Sequence, residues 1–597
     1  MNPPGFANRV VGSINDTFFN HLMDRKAILG CPGCLLLAVV SFYGQAQTVT
    51  ADFGGRSGLT AAVPAGVFAV GGMGDSLTNP RGIATLTSAG LTGTRFWIGL
   101  QQVYATSTPN FAVLDSELKI MSAAGVHPIA VIYDTPASLG GNQCGPPSSV
   151  STWGAMAASV VAHADQNFPG LLQDYEIWNE AELDTSLCIS DYNTRLNTYV
   201  SMYAAAASAM HAQAKADGQT IRTGGPAIVE LNMAPYWLPE FLSNQSTAPY
   251  VDFVSFHLYV SGQNELSEGM DWPQLYGFTQ SSTRGVAYYY QMIESLVRAG
   301  KQPNAATTPM YLTEYNDNWM FALDCCRNSP IYGPLWNSLT IVDLLNVVYS
   351  GASAGPSVIE YYDAADKYFC LLGHWDAQMD CDRSELIPYP QFYAFQLFAS
   401  PEYLDLQAGA HMAAAVSPAS TTSGLSATAF YTVGANAVVV VNPTSTAYRA
   451  VTVTFQNPGL TSVCGTTYLV DGLHGQIATG PVSFSSTSGR YTTTVAVPAY
   501  GTVAVSMKGS PVAGAPKAVL NVTTEKNPLA VFVDSSKSQG GGSAIIGRTI
   551  DFGDGAWINW TPWITHIYGK AGSYAILLSV KNQSGQISIA RSVVNVR

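Results

Sequence analysis

Short apolar runs rich in β-forming residues alternate with alanine-rich helical stretches between residues 66 and 400. Such alternation is typical of βα units around a parallel sheet. Eight strands are predicted, at residues 66–71, 93–98, 127–133, 174–178, 221–225, 251–257, 310–313 and 357–362. Eight units over about 330 residues match a (β/α)8 TIM barrel, an α/β fold, although a doubly wound sheet has the same local pattern.

The helical pattern stops after residue 402. Residues 403–508 read as alternating strands separated by Gly, Pro, Ser and Asn turns, which predicts a β-sandwich after a barrel domain at 47–402. Residues 48–62, ahead of the first barrel strand, are candidates for an edge strand of this sandwich. Residues 509–516 are predicted to be a linker, and residues 517–597 a third domain of short strands.

The first 46 residues have the pattern of an export signal. A charged head at residues 24–26 precedes a short apolar body at 34–40, and Gly44-Gln45-Ala46 supplies a small-x-small site. Met23, just before the charged head, is expected to be the true start. The apolar body is too short to span a bilayer as a helix, so an uncleaved membrane anchor is the less favoured alternative. We expect a protein secreted to the extracellular space or the periplasm.

Composition narrows the range of partners. The chain is 47% hydrophobic and only 11% charged, whereas ordinary soluble proteins carry about 25% charged residues. This composition suits an extracellular protein, and the net charge of −13 disfavours nucleic acid and membrane surfaces as partners. No His or Cys cluster has zinc spacing, so we expect neither a metal nor a cofactor. An uncharged substrate fits this charge balance.

Nine cysteines are present, and the two at positions 31 and 34 fall in the signal region, which leaves seven. In an oxidising compartment, Cys144 with Cys188 and Cys370 with Cys381 are plausible disulfide pairs. The odd number leaves at least one thiol unpaired.

Candidate chemistry lies at the ends of two predicted strands. Glu180 ends the fourth strand and Glu314 follows the seventh. Active sites of TIM barrels lie at the carboxyl ends of the strands, and these two strands lie on roughly opposite sides of the ring. Glu176 and Glu182 are competitors for Glu180, but the first lies deeper in the strand and the second lies past it. A strand-end glutamate is by itself often only a solvated turn residue.

Two facing carboxyl groups are what glycosidic bond cleavage requires. One must stay protonated to give a proton to the leaving oxygen, and the other must be ionised to attack the anomeric carbon. A separation of about 5–5.5 Å gives retention of configuration through a covalent intermediate, whereas a wider gap admits water and gives inversion. Repulsion and burial push the two pKa values apart and so set the roles.

Trp178-Asn179-Glu180 and Thr313-Glu314-Tyr315 resemble the two catalytic motifs of the clan A retaining β-glycosidases. Within that clan, roughly residues 60–508 are most similar to glycoside hydrolase family 39, which includes β-xylosidases. The resemblance implies that Glu180 is the general acid/base and Glu314 the nucleophile, and that Asn179 binds the sugar 2-hydroxyl.

Further substrate-binding residues are implied by the same resemblance. Arg95, in the segment that ends the second strand, would hydrogen-bond the nucleophile, and His257 and Tyr259, in the segment that ends the sixth, would lie near nucleophile and substrate. Trp375 is a candidate platform for a sugar ring. The alternatives are that His257 is a hydrogen-bonded core residue, Arg95 a structural ion-pair partner, and Trp375 an ordinary core or loop aromatic.

The C-terminal residues 517–597 resemble the PKD module, an immunoglobulin-like β-sandwich, through the segments at 551–555 and 566–574. Trp557, Trp560 and Trp563 are candidates for a polymer-binding face, or else for core residues. We expect a spacer or binding role without catalysis.

Taken together, the sequence predicts a secreted retaining β-glycoside hydrolase that degrades β-linked oligo- or polysaccharides by double displacement. The alternatives are a non-catalytic carbohydrate-binding protein on a barrel scaffold and a transglycosylase, which differs from a hydrolase only in the acceptor that it binds.

Overall fold

The computed structural model describes most of the chain after the predicted signal region. The described residues are 47–54, 62–141, 144–261, 271–319, 329–347, 355–366, 369, 371–375, 381–382, 386–413, 415–418, 424–432, 435–553, 557–559, 561–568, 572–584 and 586–596. The expected export signal at residues 1–46 lies outside this set. Among the described residues, no helix has both the length and the apolar character needed to cross a membrane.

Eight parallel strands close into a barrel. Two strands precede them in the chain, β1 (Gln47–Asp52) and β2 (Ala62–Val63), and belong to other sheets. The barrel strands are β3 (Phe68–Val70), β4 (Gly93–Gly99), β5 (His127–Tyr133), β6 (Asp174–Ile177), β7 (Arg222–Ile228), β8 (Phe253–Tyr259), β9 (Met310–Asn316) and β10 (Val358–Tyr361). Each predicted strand is present, and β10 pairs with β3, which closes the ring and excludes the doubly wound alternative.

The helices lie between these strands in the chain, except the last, which follows β10. They are α1 (Pro80–Ser88), α2 (Leu100–Val103), α3 (Ala112–Ala124), α4 (Val150–Asn167), α5 (Asp184–Leu187), α6 (Tyr192–Ala216), α7 (Ala234–Ser243), α8 (Trp272–Thr279), α9 (Val286–Ala299), α10 (Tyr332–Asn346) and α11 (Pro390–Ala399). The side chain of Asp191 caps α6 by accepting the backbone N–H of Thr194. Helices α4 and α6 pack closely because Gly154 has no side chain: a Cβ there would lie 2.7 Å from the carbonyl oxygen of Ala205.

A β-bulge in β9 shapes the inner wall of the barrel. Phe256 of β8 pairs with Leu312 and the next residue, His257, pairs with Glu314, so β9 carries one extra residue. The same extra residue appears on the β10 side, between the pairs Ile359–Leu312 and Tyr361–Tyr315. A bulge breaks the inside–outside alternation of a strand, which allows the consecutive residues 313 and 314 both to bond groups inside the barrel.

After the barrel, a short antiparallel pair is formed by β11 (His374–Trp375) and β12 (Cys381–Asp382). A β-sandwich of two sheets follows, which also includes β1 and β2 from the start of the described chain. Its later strands are β13 (Ala410–Met412), β14 (Ala415–Pro418), β15 (Ser426–Thr432), β16 (Ala435–Asn442), β17 (Tyr448–Gln456), β18 (Leu460–Val470), β19 (Ala478–Val482), β20 (Ser485–Thr487), β21 (Arg490–Val497) and β22 (Gly501–Pro511). One sheet has the order β19-β18-β22-β16-β15-β13-β2, and the other β14-β1-β17-β21-β20.

Strand β1 is an inner strand of the sandwich, hydrogen-bonded to β14 on one side and β17 on the other. It was predicted as an edge strand, and the predicted boundary at residue 47 assigned it to the barrel domain. Val49 and Ala51 are fully buried in the sandwich core, which explains the central position. The first residues of the predicted linker, 509–511, also belong to the sandwich, as the end of β22.

The C-terminal domain is a second, smaller sandwich. Its strands are β23 (Asn521–Thr524), β24 (Ala530–Asp534), β25 (Ile545–Asp551), β26 (Trp557–Asn559), β27 (Trp563–Ile567), β28 (Gly572–Asn582) and β29 (Ile587–Val596). The sheets have the orders β23-β24-β27 and β26-β25-β28-β29. Strand β28 is buried from residue 574 to 580 without alternation, because its outer face also meets other parts of the chain. Leu577 packs beside Gly409, and Ile587 and Ile589 pack on the core of the first sandwich.

One of the two expected disulfides is confirmed. Cys144 and Cys188 are bonded, with their Cα atoms 5.4 Å apart, and join the loops that follow β5 and β6. Cys370 lies outside the described residues, so the pairing with Cys381 stays a prediction. Cys464 is an exposed free thiol.

Candidate active site

Six of the predicted site residues meet at the carboxyl ends of the barrel strands. They are Arg95 on β4, Asn179 and Glu180 after β6, His257 and Tyr259 on β8, and Glu314 on β9. The backbone of the seventh, Trp375, lies in β11, and its side chain is outside the description.

The segment that follows β6 has an unusual backbone conformation. Trp178 and Glu180 have φ angles of 67° and 48°, in the left-handed region that non-glycine residues seldom occupy. Ser186 holds this segment in place, because its hydroxyl accepts a hydrogen bond from Trp178 Nε1 at 3.1 Å and donates one to the carbonyl of Asn179. Glu176, inside the barrel, meets Arg95, and Glu180, at its mouth, meets His257.

Glu314 is bound by two donors and is only 5% exposed. Arg95 Nη1 donates to its Oε1 at 2.6 Å, and the hydroxyl of Tyr259 donates to its Oε2 at 2.7 Å. Both donors compensate negative charge on the carboxylate oxygens of Glu314.

Arg95 joins the two sides of the site. Besides its bond to Glu314, its Nε donates to Glu176 Oε2 at 2.6 Å and its Nη2 donates to Asn179 Oδ1 at 2.7 Å. Burial alone would lower the pKa of Arg95, but the charges of Glu176 and Glu314 raise it above the ordinary value, so the guanidinium stays charged. Arg95 is therefore both a structural ion-pair partner and a residue of the site, because the same side chain pairs with Glu176 and bonds Glu314.

His257 lies between the two glutamates and is completely buried. Its Nδ1 is 2.8 Å from Glu180 Oε1 and 3.6 Å from Glu314 Oε2. Burial lowers the pKa of His257 to about 4, against the opposing effect of Glu314, so the ring is neutral at ordinary pH. A neutral imidazole can donate to an ionised Glu180 or accept from a protonated one.

The two glutamates are close together and differ in environment. One carboxylate oxygen of each lies, with a His257 nitrogen, in a group whose members are all within 4.8 Å of one another. Burial raises the pKa of Glu180 to about 7; the charges of Glu176 and Glu230 act in the same direction and Arg95 opposes them. Glu180 thus holds a proton at mildly acidic pH. Among the described residues no cationic side chain donates a hydrogen bond to it, whereas Arg95 donates to Glu314.

The group Glu180, His257 and Glu314 is also the one set of donors in the described part of the chain whose spacing suits a metal ion. Within it, the short contact between His257 and Glu180 is that of a hydrogen bond. This arrangement can share and move a proton.

Sequence reasoning missed one buried acid near the site, Glu360, and considered two others, Glu176 and Glu182, only as competitors for Glu180. Glu176 pairs with Arg95 and accepts the hydroxyl of Thr313 at 3.1 Å. Glu360, on β10, is fully buried with no hydrogen-bond partner among the described residues, and burial raises its pKa well above the ordinary value. Glu182 is 1% exposed. The available signal was an acid inside an apolar run, as in the strand at 357–362, because burying a charge there requires a partner or a proton.

A closed eight-stranded barrel with two facing carboxyl groups at its mouth is an architecture of glycoside hydrolases. The model of the family described as Glycosyl hydrolases family 39 matches residues 110–470, more than half of the 597-residue chain. The chain belongs to this family, and it is a glycoside hydrolase. A PKD domain model matches residues 513–596. A search of curated protein sequences gave no significant match.

Solved structures with low sequence identity share the fold. A GH39 enzyme from Xanthomonas axonopodis pv. citri has a TM-score of 0.55 at 14% identity, covering 79% of this chain and 100% of its own. A monomeric β-xylosidase from Caulobacter crescentus has a TM-score of 0.53 at 14% identity, covering 78% and 100%. A family 30 subfamily 8 xylanase from Clostridium acetobutylicum has a TM-score of 0.51 at 16% identity, covering 77% and 100%.

Proposed function

We propose that this enzyme is a secreted retaining β-glycosidase that cleaves β-linked oligo- or polysaccharides, with Glu180 as general acid/base and Glu314 as nucleophile. The observation that carries the proposal is that one carboxyl oxygen of Glu180 lies within 4.8 Å of one carboxyl oxygen of Glu314. Retaining enzymes have carboxyl groups about 5–5.5 Å apart, whereas inverting enzymes need about 6.5–9.5 Å to admit a water.

In the first step, Glu314 attacks the anomeric carbon while protonated Glu180 gives its proton to the glycosidic oxygen. The C–O bond to the aglycone breaks, the alcohol leaves, and the sugar stays attached to Glu314 as an ester. In the second step, ionised Glu180 takes a proton from water, and the oxygen of that water displaces Glu314 from the anomeric carbon. Two inversions give net retention, and Glu180 returns to its protonated form.

The surrounding residues support this division of labour. The bonds from Arg95 and Tyr259 stabilise the charge on Glu314, both before attack and when it leaves the glycosyl-enzyme. His257 Nδ1, within hydrogen-bond distance of Glu180 Oε1, holds this carboxyl group in place. In this proposal Asn179, whose Oδ1 accepts a hydrogen bond from Arg95, binds the sugar 2-hydroxyl.

Secretion and β-linkage rest on separate support. The export pattern before residue 47 and the Cys144–Cys188 disulfide are both typical of secreted proteins. The β-linkage is supported by the structural similarity to an enzyme described as a β-xylosidase.

The test is the configuration of the product released first. Aryl β-glycosides of several sugars and soluble β-glycans are screened for turnover, and ¹H NMR then follows the anomeric protons of the reducing sugar before mutarotation. We expect the β-anomer first. Initial release of the α-anomer, or turnover of α-glycosides alone, would contradict the proposal.

Two variants assign the roles. Glu180→Ala with azide is expected to give a β-glycosyl azide, since azide attacks the glycosyl-enzyme without needing a base. Glu314→Ala is expected to lose turnover, and azide is not expected to restore the β-product. Normal hydrolysis by both variants would contradict the assignment.

A further inference from the structure

Glu182 lies two residues beyond Glu180 and is almost fully buried. Its Oε1 accepts hydrogen bonds from the backbone N–H groups of Val229 at 2.6 Å and Glu230 at 2.8 Å. Both donors lie directly after strand β7, and Glu182 Oε2 has no hydrogen-bond partner among the described residues. One side chain thus connects the segment after β6 to the segment after β7.

The segment that Glu182 anchors needs support. A non-glycine residue in the left-handed region costs about 1–3 kcal/mol and persists only where its surroundings hold it. Two such residues, Trp178 and Glu180, are separated by a single position. Ser186 bonds the side chain of Trp178 and the carbonyl of Asn179, which precede Glu180 in the chain. Glu182, two positions after Glu180, bonds the segment that follows β7.

We propose that Glu182 is a positioning residue, which ties the backbone carrying Glu180 to the end of strand β7 and so fixes where Glu180 delivers its proton. This inference rests on the proposed function, because it takes Glu180 as the general acid. Misplacement of a catalytic group by about 1 Å can cost about a hundredfold in rate.

The protonation state of Glu182 allows the effect of its hydrogen bonds to be distinguished from the effect of a charge at this position. Burial raises the pKa of Glu182 to about 8, and the charge of Glu180 adds to this effect. Burial also raises the pKa of Glu180 to about 7, so at mildly acidic pH both side chains hold their protons. Glutamine at position 182 therefore mimics the neutral acid, and keeps an oxygen that can accept both backbone N–H groups.

Other ionisable groups surround the pair. Those facing Glu180 are Arg95, Tyr133, Glu176, Glu182, Glu230, His257, Tyr259 and Glu314. Tyr199 also faces Glu182. Of these, Glu230 is exposed and its charge raises the pKa of Glu180, so it offers a matched control in which one carboxylate is removed and no hydrogen bond to position 182 is lost.

The experiment compares kcat/KM for two aryl glycosides of the sugar that the enzyme accepts. A phenyl glycoside needs its leaving oxygen protonated, and a 2,4-dinitrophenyl glycoside does not. For Glu182→Met, which removes both acceptor oxygens, we expect kcat/KM to fall about ten- to a hundredfold on the phenyl substrate and by less than about threefold on the dinitrophenyl substrate. Glu182→Gln should stay within about threefold of wild type on both, with an unchanged pH profile.

The control has a different signature. Glu230→Gln should keep the wild-type ratio between the two substrates, while the midpoint of the basic limb of its kcat/KM profile moves to lower pH. Circular dichroism and thermal unfolding establish that each variant is folded; should Glu182→Met not fold, Glu182→Ala is assayed in its place.

An equal loss of kcat/KM on both substrates in the Glu182 variant, or no loss on either, would overturn the proposed positioning role of Glu182. Failure of the proposed function is distinguishable, because it would appear in Glu180→Gln as the absence of any difference between the substrates. Suppose that Glu180→Gln loses activity on the phenyl substrate only, while a folded Glu182 variant loses activity equally on both substrates or on neither. That result would reject the positioning role of Glu182 and leave the proposed function intact.

Discussion

Replacing Glu180 with glutamine removes the proton assigned to catalysis while keeping nearly the same shape. Burial raises the pKa of this group from an ordinary 4.5 to about 7. At pH 6, about 90% of groups with a pKa of 7 are protonated, against about 3% at the ordinary value, so the shift increases the active fraction about 30-fold. Proton transfer itself contributes about 10²–10⁴ in rate. We therefore expect kcat/KM of Glu180→Gln on a phenyl glycoside to fall by about 10²–10⁴ at pH 6.

The pH profile gives an independent readout. Because the active form of Glu180 is the protonated one, wild-type kcat/KM is expected to hold below about pH 7 and to decline as the pH rises through the pKa of this group. Glu180→Gln should lack that decline. With a 2,4-dinitrophenyl glycoside, whose leaving group needs no proton, kcat/KM of the variant should stay close to that of wild type. An equal loss on both substrates, or a retained decline near pH 7, would refute the assignment.

Three further outcomes are expected. Tyr259→Phe removes the hydrogen bond to Glu314, worth about 1.5–3 kcal/mol for a charged acceptor, so kcat for breakdown of the glycosyl-enzyme should fall about 10- to 150-fold in stopped-flow assays; an unchanged rate would contradict the role of this hydroxyl. Cys144→Ser opens a disulfide whose cysteines are 44 residues apart and should lower unfolding free energy by about 4 kcal/mol in urea titrations, and equal stability with and without the bond would contradict this. Leu577→Glu places a charge where β28 packs on the rest of the chain, so limited proteolysis should release the C-terminal domain faster while aryl-glycoside turnover persists; unchanged proteolysis would show that this contact does not hold the domain.

The barrel was predictable because each of its strands is a short apolar run followed by a helical stretch. The position of each strand is therefore encoded locally, to within a few residues. Closure is not encoded locally, since it depends on the pairing of β10 with β3, about 290 residues apart in the chain.

The site was predictable where it lies at strand ends and not where it depends on irregular backbone. The positions of Glu180 and Glu314 followed from the ends of two apolar runs. The bulge in β9 and the left-handed residues 178 and 180 were not visible in the sequence, and they decide how both side chains enter the site. The role of Glu176 as partner of Arg95 was missed because alternation alone does not show which interior acid meets which base.

The C-terminal half shows the same limit. Residues 48–62 were predicted to add an edge strand to the first sandwich, but the inner position of β1, between β14 and β17, was not predicted. Trp563, a candidate for a polymer-binding face, is 58% exposed, and Trp560 lies outside the described residues. The packing of β28 against Gly409 depends on contacts distant in sequence, which a pattern of local hydrophobicity does not contain.

Trapping the covalent intermediate tests the central claim most directly. The enzyme is incubated with the 2-deoxy-2-fluoro, 2,4-dinitrophenyl derivative of a β-glycoside that it hydrolyses, and the labelled peptide is identified by mass spectrometry. We predict one sugar bound per chain, on Glu314, with hydrolytic activity lost in parallel. A label on another carboxylate, such as Glu176 or Glu360, or rapid turnover without any adduct, would contradict the account.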